Sequence, residues 1–422
     1  MNEPDPAWID AALTSARPQA IAALLRYFRD LDIAEEAFQE ACLRALRAWP
    51  QNGPPRDPVA WLVLVGRNVA IDQTRRQARQ EPLPADDVIA DEGTGEAALT
   101  ERLDDSHYRD DVLRLLFICC HPELPATQQI ALALRIVSGL SVAQIARAFL
   151  VGDSAMEQRI TRAKARIARA DVAFETPGAI ERAERLAAVA AMIYLVFNEG
   201  YSASGDGAAV RATLCDEAIR LTRLLLRLFT AEPEIMGLAA LLLLQHARML
   251  ARFDAAGTIV LLEDQDRSRW NKGMIAEGLA LLDKAMRHRR RGPYQVQAAI
   301  AALHARAARP QDTDWRQIDL LYAALEEHTP SPVVTLNRAV AVAKLRGPEA
   351  ALAMIEPLGG QLAGYFHFHG LKGALLRDLG RAEDARVAFD RAIALANSAA
   401  EAAHIRQHLD GLVADGAAAP TR

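Results

Sequence analysis

The stretch from Leu140 to Ile167 constrains the fold of this chain most strongly, because it contains two helix-start signals a short distance apart. In each signal a serine precedes, by three positions, a residue that can return its hydrogen bond: Ser141 with Gln144, and Ser154 with Glu157. Apolar residues then recur at helical spacing after both serines. The pattern predicts two short helices packed against each other across a tight turn, as in a helix-turn-helix motif.

The second helix of this motif has two chemically different faces. Its predicted buried stripe consists of Met156, Ile160, Ala163 and Ile167. The opposite face consists of Ser154, Gln158, Arg159, Arg162 and Arg166. Cations on one helical face suit a groove lined by phosphates, so we predict a DNA-binding helix. An ordinary solvated face is the alternative interpretation.

The composition limits the fold class and the possible partners. The chain has 422 residues, of which 51% are hydrophobic and only 5% aromatic, and it lacks sustained alternating runs of Val, Ile or Thr. These properties predict an all-α protein of about two or three domains. Because the net charge is only −5, any nucleic-acid contact has to come from local basic patches.

The N-terminus and the cysteines indicate a cytoplasmic protein. The first residues, MNEPDPAWID, lack the basic and then apolar pattern of a signal peptide. The apolar run Leu186–Phe197 is shorter than the roughly 20 residues of a membrane span, so no membrane segment is expected. The segment Cys119-Cys120-His121 has adjacent thiols that point in different directions on a helix, so we predict buried cysteines and no metal site.

Proline, glycine and acidic residues interrupt the helical patterns of the chain, and these interruptions predict four segments. Residues 1–80 form a helical domain, and residues 81–105 an acidic flexible linker. Residues 106–175 contain the helix-turn-helix, and residues 176–415 form a large helical extension.

The extension contains a pattern typical of tetratricopeptide hairpins. Gly380, Ala385, Phe389 and Ala392 keep the spacing of that motif. A weaker upstream copy places Ala341 and Gly347 33 residues before Ala374 and Gly380. We therefore predict an irregular, tetratricopeptide-like stack of helices with a concave binding surface.

The segment Asp32–Trp49 predicts an amphipathic helix that begins with Asp32 as its cap and buries Phe38 and Trp49. Its exposed side is acidic. Glu36 and Glu40 form an i,i+4 pair of like charges, which a basic partner would offset. The side is interpreted either as a docking face or as ordinary solvated glutamates.

A second helix begins at Asp57-Pro58 and becomes basic along its length. Trp61 lies near its start, and an aromatic ring beside arginines is how proteins hold unstacked single-stranded bases. A place in the hydrophobic core is the alternative for Trp61. The donors that follow on this helix are Arg67, Asn68, Arg75 and Arg76.

The order of these pieces resembles bacterial RNA polymerase sigma factors of the extracytoplasmic-function type. The resemblance rests on AEEAFQEA, then WL with GRNVAIDQTRR, an acidic linker and a C-terminal helix-turn-helix, over roughly the first 170 residues. The later phrases FNEGYSAS and LLEDQDRSRW resemble the subgroup with a long tetratricopeptide-like extension.

This resemblance implies a promoter-specificity factor whose partners are core RNA polymerase and promoter DNA. The polymerase-binding residues implied are Glu35, Glu36, Gln39 and Glu40. Those implied for the minus-ten element are Trp61, Arg67, Asn68, Arg75 and Arg76. Those implied for the minus-thirty-five element are Ser154, Gln158, Arg159, Arg162 and Arg166. We expect no catalytic residue, no cofactor and no enzyme activity, and we expect the extension to modulate activity or stability, through contact with the sigma domains or the polymerase.

Two other functions stay open at this point. A polymerase-independent regulator would need only the helix-turn-helix and a tetratricopeptide sensor. An enzyme in the large C-terminal block is the third hypothesis, although no phosphate loop, HExxH, GxSxG or paired carboxylates can be recognised there.

Overall fold

The computed structural model describes residues 7–53, 55–79, 105–149, 151–169, 179–201, 208–254, 258–396 and 399–418. All the long regular elements in these ranges are helices, and the extended pairing described is an isolated antiparallel bridge between Phe253 and Ile259. The prediction of an all-α fold is confirmed. The chain divides into two compact units, Met1–Val196 and Phe197–Arg422.

The first unit begins with a three-helix bundle, here called the N-terminal helical block. Its helices are α1 (Ala7–Phe28), α2 (Leu31–Asn52) and α3 (Pro58–Arg79), and each packs against the other two. The helix-turn-helix block follows, with α4 (Asp105–Cys119), α5 (Ala126–Ile136), α6 (Val142–Ala148) and α7 (Asp153–Arg169). The predicted linker falls almost entirely on residues 80–104, outside the described residues.

The capping residue of helix α2 lies two residues before the predicted one. Asp30, not Asp32, is the capping residue, and its Oδ1 accepts hydrogen bonds from the Asp32 and Ile33 amides at 2.8 and 3.0 Å. The backbone of Asp30 is extended, as an N-cap requires, and this frees the Asp32 side chain for another contact. The predicted cap of α3 is confirmed: Asp57 Oδ1 accepts hydrogen bonds from the Val59 and Ala60 amides.

Close packing of α2 and α3 depends on a glycine. A Cβ at Gly66 would lie 2.8 Å from the carbonyl oxygen of Ala37, so a side chain there would force the two helices apart. Trp49 and Trp61 meet edge to face beside this crossing, with their ring centroids 5.3 Å apart.

The helix-turn-helix forms, and the apolar residues Ile145 and Ala146 of α6 are buried. The capping box at α6 is complete: Ser141 Oγ accepts from the Gln144 amide, and Gln144 Oε1 accepts from the Ser141 amide. Helix α7 begins at Asp153, so Ser154 lies in its first turn and the prediction that Ser154 starts this helix is wrong by about a residue. The four predicted apolar residues of α7 are all buried.

The second unit is a succession of helices. It begins within α8 (Ala179–Tyr201) and continues with α9 (Ala208–Leu228), α10 (Pro233–His246), α11 (Lys272–Arg287), α12 (Pro293–Arg306), α13 (Trp315–His328), α14 (Pro332–Arg346), α15 (Pro348–Ile355), α16 (Phe366–Asp378), α17 (Ala382–Leu395) and α18 (Ala399–Ala418).

The predicted hairpin of the extension is a pair of packed helices, α16 and α17. Gly380 turns the chain between them at φ 73°, and Gly347 does the same between α14 and α15 at φ 89°. This left-handed backbone favours glycine, and its recurrence fits the predicted spacing of 33 residues. Phe389 is fully buried against Gly373, where a Cβ would lie 2.5 Å from the ring. That these hairpins are tetratricopeptide repeats stays a prediction.

The segment Pro233–Ala251 is long and apolar enough to cross a membrane by length and composition, although no membrane segment was predicted. Of this segment, 67% is buried within the protein. Its neighbours are α11 and α12, which pack along it. This burial is typical of the central helix of a hydrophobic core.

Arginines from the LLEDQDRSRW region and its neighbourhood complete the ends of helices in the extension. Arg252 stacks on the Tyr201 ring, with its Cζ 3.7 Å from the centroid, and donates a hydrogen bond to the Tyr201 carbonyl at the end of α8. Arg267 Nη1 donates to the carbonyls of His304 and Ala307 at the end of α12. Cations placed at helix C-termini satisfy carbonyls that lack helical partners.

Candidate nucleic-acid and polymerase interfaces

Helix α7 exposes the polar face that the sequence predicts. Ser154, Gln158, Arg162 and Arg166 are exposed at intervals of four residues, so they follow one another along a single side of the helix. Arg159 is half-buried and lies beside this line. The burial of the four apolar residues fixes the rotation of α7, and therefore decides which side faces solvent.

A shallow cleft lies along the C-terminal half of α7. Arg162, Arg166 and Arg169 line it together with Gln128 and Glu123. The Arg166 guanidinium is oriented there by a hydrogen bond to the Glu123 carbonyl at 3.0 Å. Three arginines around one cleft form a surface suited to a phosphate backbone.

The predicted minus-ten residues of α3 are dispersed. Asn68 is exposed, whereas Arg67 is half-buried with its Cζ 5.6 Å above the ring of Tyr27. Arg75 and Arg76 lie on the last turns of α3, where the side chains are outside the described residues. Of these four donors, Asn68 is thus the one whose side chain is described as exposed.

The structure corrects the prediction that Trp61 stacks on an unpaired base. Trp61 is only 5% exposed, and its ring packs on Trp49, which in turn stacks on Trp8. Three aromatic rings in contact bury a large apolar area that no single-stranded base could reach in this arrangement. Trp61 belongs to the core of the N-terminal helical block.

The acidic side of α2 is less repulsive than the sequence indicates. Glu36 and Gln39 are exposed, but Glu40 lies 3.7 Å from Arg44 Nε, one helical turn further on. An i,i+4 ion pair offsets the predicted repulsion between Glu36 and Glu40. The predicted docking residues that the structure leaves exposed are Glu36 and the neutral Gln39, with the half-buried Glu40 beside them.

Glu35, which the resemblance assigns to polymerase binding, lies away from the exposed side of α2. Glu35 is 5% exposed and lies in an interface between the N-terminal helical block and the helix-turn-helix block. Its Oε2 accepts a hydrogen bond from Lys164 Nζ at 2.9 Å, and its Oε1 lies 3.0 Å from Arg135 Nη2. Arg17 Nη2 approaches the same Oε1 at 3.5 Å.

Two further contacts extend this interface, and we call the five residues Arg17, Asp32, Glu35, Arg135 and Lys164 the charged hub. Lys164 Nζ donates to Asp32 Oδ1 at 2.6 Å. Arg17 Nε and Nη2 donate to the Ile136 and Arg135 carbonyls, where α5 ends. Burial by itself would lower the pKa of Lys164, but the hydrogen bonds to Asp32 and Glu35 outweigh it and raise that pKa above its usual range.

Sequence reasoning missed Arg17, Arg135 and Lys164 as partners of Glu35. One local signal was available: Glu35 lies next to the buried Ala34 and one turn before Phe38, at the edge of the apolar stripe of α2. Its partners Arg135 and Lys164 are about a hundred residues or more away along the chain, and no periodic pattern identifies such pairs.

The adjacent cysteines at the end of α4 are buried, as predicted. Burial raises the pKa of Cys120 to about 12, and burial together with the neighbouring Cys120 raises the pKa of Cys119 well above its usual range. Such thiols stay protonated and unreactive at neutral pH. Among the described residues, no group of three His, Cys, Asp or Glu side chains could hold a metal ion.

Comparison with known families assigns both parts of the first unit. Residues 13–80 match the family described as sigma-70 region 2, and residues 114–167 match the family described as sigma-70, region 4. Residues 185–286 match a family of unknown function, DUF6596. The first two matches cover the N-terminal helical block and most of the helix-turn-helix block.

The individual proteins that are similar to this chain are of two kinds, one with high and one with low sequence identity. An uncharacterized protein of Rhizobium meliloti is 70% identical over 98% of both chains. A probable ECF RNA polymerase sigma factor, SigI, of Mycobacterium tuberculosis is 25% identical over 41% of this chain and 58% of its own length. The same relative from a second strain matches equally. No solved structure shows a significant match.

The matches cover the elements whose geometry is described above, in the order region 2, region 4 and helical extension. The distant relative bears an ECF sigma factor name and is similar to this chain over 173 residues. The chain belongs to the bacterial sigma factors of the extracytoplasmic-function type, in a form that carries a large helical C-terminal extension.

Proposed function

We propose that this protein binds core RNA polymerase and directs it to a specific set of promoters. The observation that carries the proposal is the exposed line Ser154, Gln158, Arg162 and Arg166 on a helix held by a fully formed helix-turn-helix. A sigma-factor role in transcription initiation is supported by both family matches. The finer assignments below are the proposal.

Helix α7 reads the minus-thirty-five element in the major groove. Gln158 and Arg162 lie in the middle of the exposed line, where side chains reach base edges, and Arg166 lies at the cleft that suits a phosphate. Glutamine pairs with adenine and arginine with guanine through two hydrogen bonds each. Phosphate contacts by the flanking arginines set the register of the helix on the duplex.

Helix α2 supplies the acidic surface that docks on polymerase, and α3 acts at the minus-ten element. Glu36 and Gln39 are exposed for docking, with Glu40 beside them. Asn68, together with Arg67, Arg75 and Arg76, supplies donors toward melted DNA. Trp61 supports this surface from beneath by packing on Trp49.

The extension modulates the activity or the stability of the sigma domains. The separate apolar core of the extension supports this proposal. That core includes Leu336, Phe366 and Phe389 and lies in the last five helices. A compact unit of that kind is able to change state or bind a ligand without unfolding the DNA-binding helices.

The direct test is transcription in vitro with purified full-length protein and core polymerase on a promoter library. We expect initiation at a defined set of promoters that is absent with core polymerase alone. In Arg162→Ala, we expect weaker promoter binding and a relaxed base preference at one position, with little change in the slope of log affinity against log salt. Arg147→Ala is the matched control, because Arg147 is exposed on α6 and off the reading line.

Specific duplex binding without any polymerase-dependent initiation would contradict the proposal and favour a polymerase-independent regulator. A salt slope that falls by about one in Arg162→Ala, with unchanged promoter preference, would instead assign Arg162 to a phosphate contact.

A further inference from the structure

We propose that the extension contains a binding site for a small phosphate-bearing anion, formed where three segments of the chain meet. These segments are FNEGYSAS at its tyrosine, LLEDQDRSRW, and AALHA at the end of α12. The side chains that form the site, here called the cationic cluster, are Arg248, Arg252, Arg267 and His304. The site goes beyond the proposed function and does not depend on it, because its binding is measured without polymerase or DNA.

Two single turns of helix bring the cationic cluster together. The turn Met249–Ala251 follows α10, and it packs on the turn Arg267–Arg269, which precedes α11. The Asn271 amide donates a hydrogen bond to the Ala247 carbonyl at 2.9 Å and ties the two segments together. Regular backbone structure therefore fixes where the arginines in and beside these turns lie.

Each arginine of the cluster is oriented by an aromatic side chain. Arg252 stacks on the Tyr201 ring, and Arg267 lies with its Cζ 4.5 Å from the centroid of the Trp270 ring. Arg248 Nη2 donates to the Tyr201 hydroxyl at 3.1 Å. Stacking on an aromatic ring orients a guanidinium without neutralising it. The cluster therefore combines a fixed orientation with retained positive charge.

The charges of the cluster act on one another. Burial lowers the pKa of Arg252 and of Arg267, and the neighbouring charge of Arg248 lowers both further. Burial, followed by the charges of Arg248 and Arg267, lowers the pKa of His304 to about 4. Like charges that are partly removed from water repel one another strongly. An anion bound among them would relieve this repulsion.

The cluster has no carboxylate partner in the described part of the chain. The hydrogen bonds of its arginines go to the Tyr201 hydroxyl and to backbone carbonyls. Asp312, whose charge acts on Arg267, is held by Arg309 through hydrogen bonds at 2.8 and 3.0 Å. Half-buried cations without a carboxylate are typical of a site that binds an anionic ligand.

Capping of helix ends uses only one edge of two guanidinium groups. Arg252 and Arg267 direct Nη1 to the carbonyls at the ends of α8 and α12. Their Nε and Nη2 groups make no hydrogen bond to the described residues, and Arg267 Nε is itself buried. Two parallel N–H donors match two oxygens of a phosphate. Capping explains the Nη1 contacts, whereas an anion explains why the other donors stay unpaired.

The charge and the exposure of the cluster favour a small phosphate group. Three guanidinium groups suit a ligand with two negative charges better than a singly charged ion. All four side chains are half-buried, so a small solute is able to reach them, and partial desolvation strengthens the attraction. The ligand chemistry is therefore a phosphate dianion, either free or as a monoester.

Calorimetry of the full-length protein tests the site with two probes, inorganic phosphate and glycerol phosphate, at constant ionic strength. We expect saturable binding of at least one of them. Tighter binding of glycerol phosphate would assign the site to a monoester, and tighter binding of inorganic phosphate would assign it to the free ion. Absence of saturable binding of both probes would overturn the proposal, as would binding of citrate alone.

Arg248→Gln removes one charge of the cluster and keeps a side chain that is able to donate to the Tyr201 hydroxyl. We expect the bound probe to bind about tenfold more weakly, because one charge-assisted hydrogen bond is lost. Arg269→Gln is the matched control, since it removes the same charge at an exposed position of the neighbouring turn. Unchanged binding in Arg248→Gln, or equal weakening in both variants, would refute the site.

A measurement on the unaltered protein keeps the proposal testable if Arg248→Gln folds poorly. The ring protons of the histidines are followed by NMR during a phosphate titration, and the His304 signal is identified by its absence in His304→Gln. We expect the His304 signal to shift and saturate, while the signal of the exposed His328 stays in place. A shift of both signals, or of neither, would contradict a site at the cationic cluster.

Discussion

Different forces stabilise the two compact units of this sigma factor, each considered by itself. In the first unit, the N-terminal helical block and the helix-turn-helix block meet at the charged hub around Glu35. In the extension, the last five helices meet through an apolar cluster that includes Leu336, Phe366 and Phe389. Ionic contacts compete with other charges and with salt, whereas apolar contacts are lost only by exposing surface to water. The contact between the two blocks of the first unit is therefore expected to respond more strongly to charge and salt than the apolar cluster of the extension.

The largest effect on stability is expected from truncating a side chain in the apolar core of the extension. Phe389→Ala removes a fully buried ring and should destabilise α16 and α17 by about 4 kcal/mol. Hydrogen exchange of the full-length protein measures this at individual helices. Val387→Ala, at a neighbouring position that is 66% exposed, is the control. Loss of protection in α2 as well would show that the two units do not behave separately.

Removing the charge of Glu35 is expected to have a somewhat smaller energetic effect than Phe389→Ala. It acts in the first unit and not in the extension. Glu35→Gln leaves the Arg135 and Lys164 cations without their carboxylate, which should weaken the contact between the two blocks by about 3 kcal/mol. Faster exchange is expected at the end of α5 and along α7, with α16 and α17 unchanged. Equal effects in both units would contradict the contrast between ionic and apolar contacts.

Acidification is expected to destabilise the extension through the buried His304. Burial, and then the charges of Arg248 and Arg267, lower the pKa of His304 from 6.5 to about 4. The neutral ring is favoured in the folded state, so its contribution is fully present above pH 6.5 and is lost as the pH falls toward 4.

We expect the extension to lose about 2 kcal/mol over this pH range because of His304 alone. Thermal unfolding at several pH values, compared between wild type and His304→Gln, isolates this contribution from that of other histidines. The exposed His288→Gln serves as the control. A pH profile unchanged by His304→Gln would mean that other groups cause the acid sensitivity.

The smallest effect concerns a purely local contact. Ser141→Ala removes one half of the capping box of α6 and should destabilise the helix-turn-helix by about 1 kcal/mol. Exchange at the first amides of α6 measures the change. Exchange along α2 should not alter, because the cap is not part of the charged hub, and a change there would show that the cap and the hub are coupled.

Much of the fold could be predicted because its signals are local. The capping box at Ser141 and the inward stripe of α7 depend on residues at most four positions apart, and both formed as expected. Gly380 belongs to the predicted hairpin spacing, and its backbone adopts the positive φ that glycine allows. Boundaries were less certain, since Asp30 and Asp32 are both able to cap a helix and only the backbone decides between them.

Site residues whose role depends on distant partners were not predictable. Trp61 beside arginines was consistent with base stacking, yet Trp49, on another helix, takes its ring into the core. Glu35 lies at the edge of the apolar stripe of α2, unlike Glu36, but this local pattern does not identify the partners of Glu35. Their difference comes from Arg135 and Lys164, which reach Glu35 only when the two blocks pack together.

The sequence by itself determined that the chain is helical, that it contains a helix-turn-helix with a cationic reading face, and that its pieces follow the order of a sigma factor. Those properties depend on spacing within a helix, which a linear pattern records. Only the tertiary structure decided that Glu35 and Lys164 face each other while Glu36 and Arg162 face solvent. The physical reason is that burial and ion pairing are set by which surfaces meet, and such contacts join residues more than a hundred positions apart.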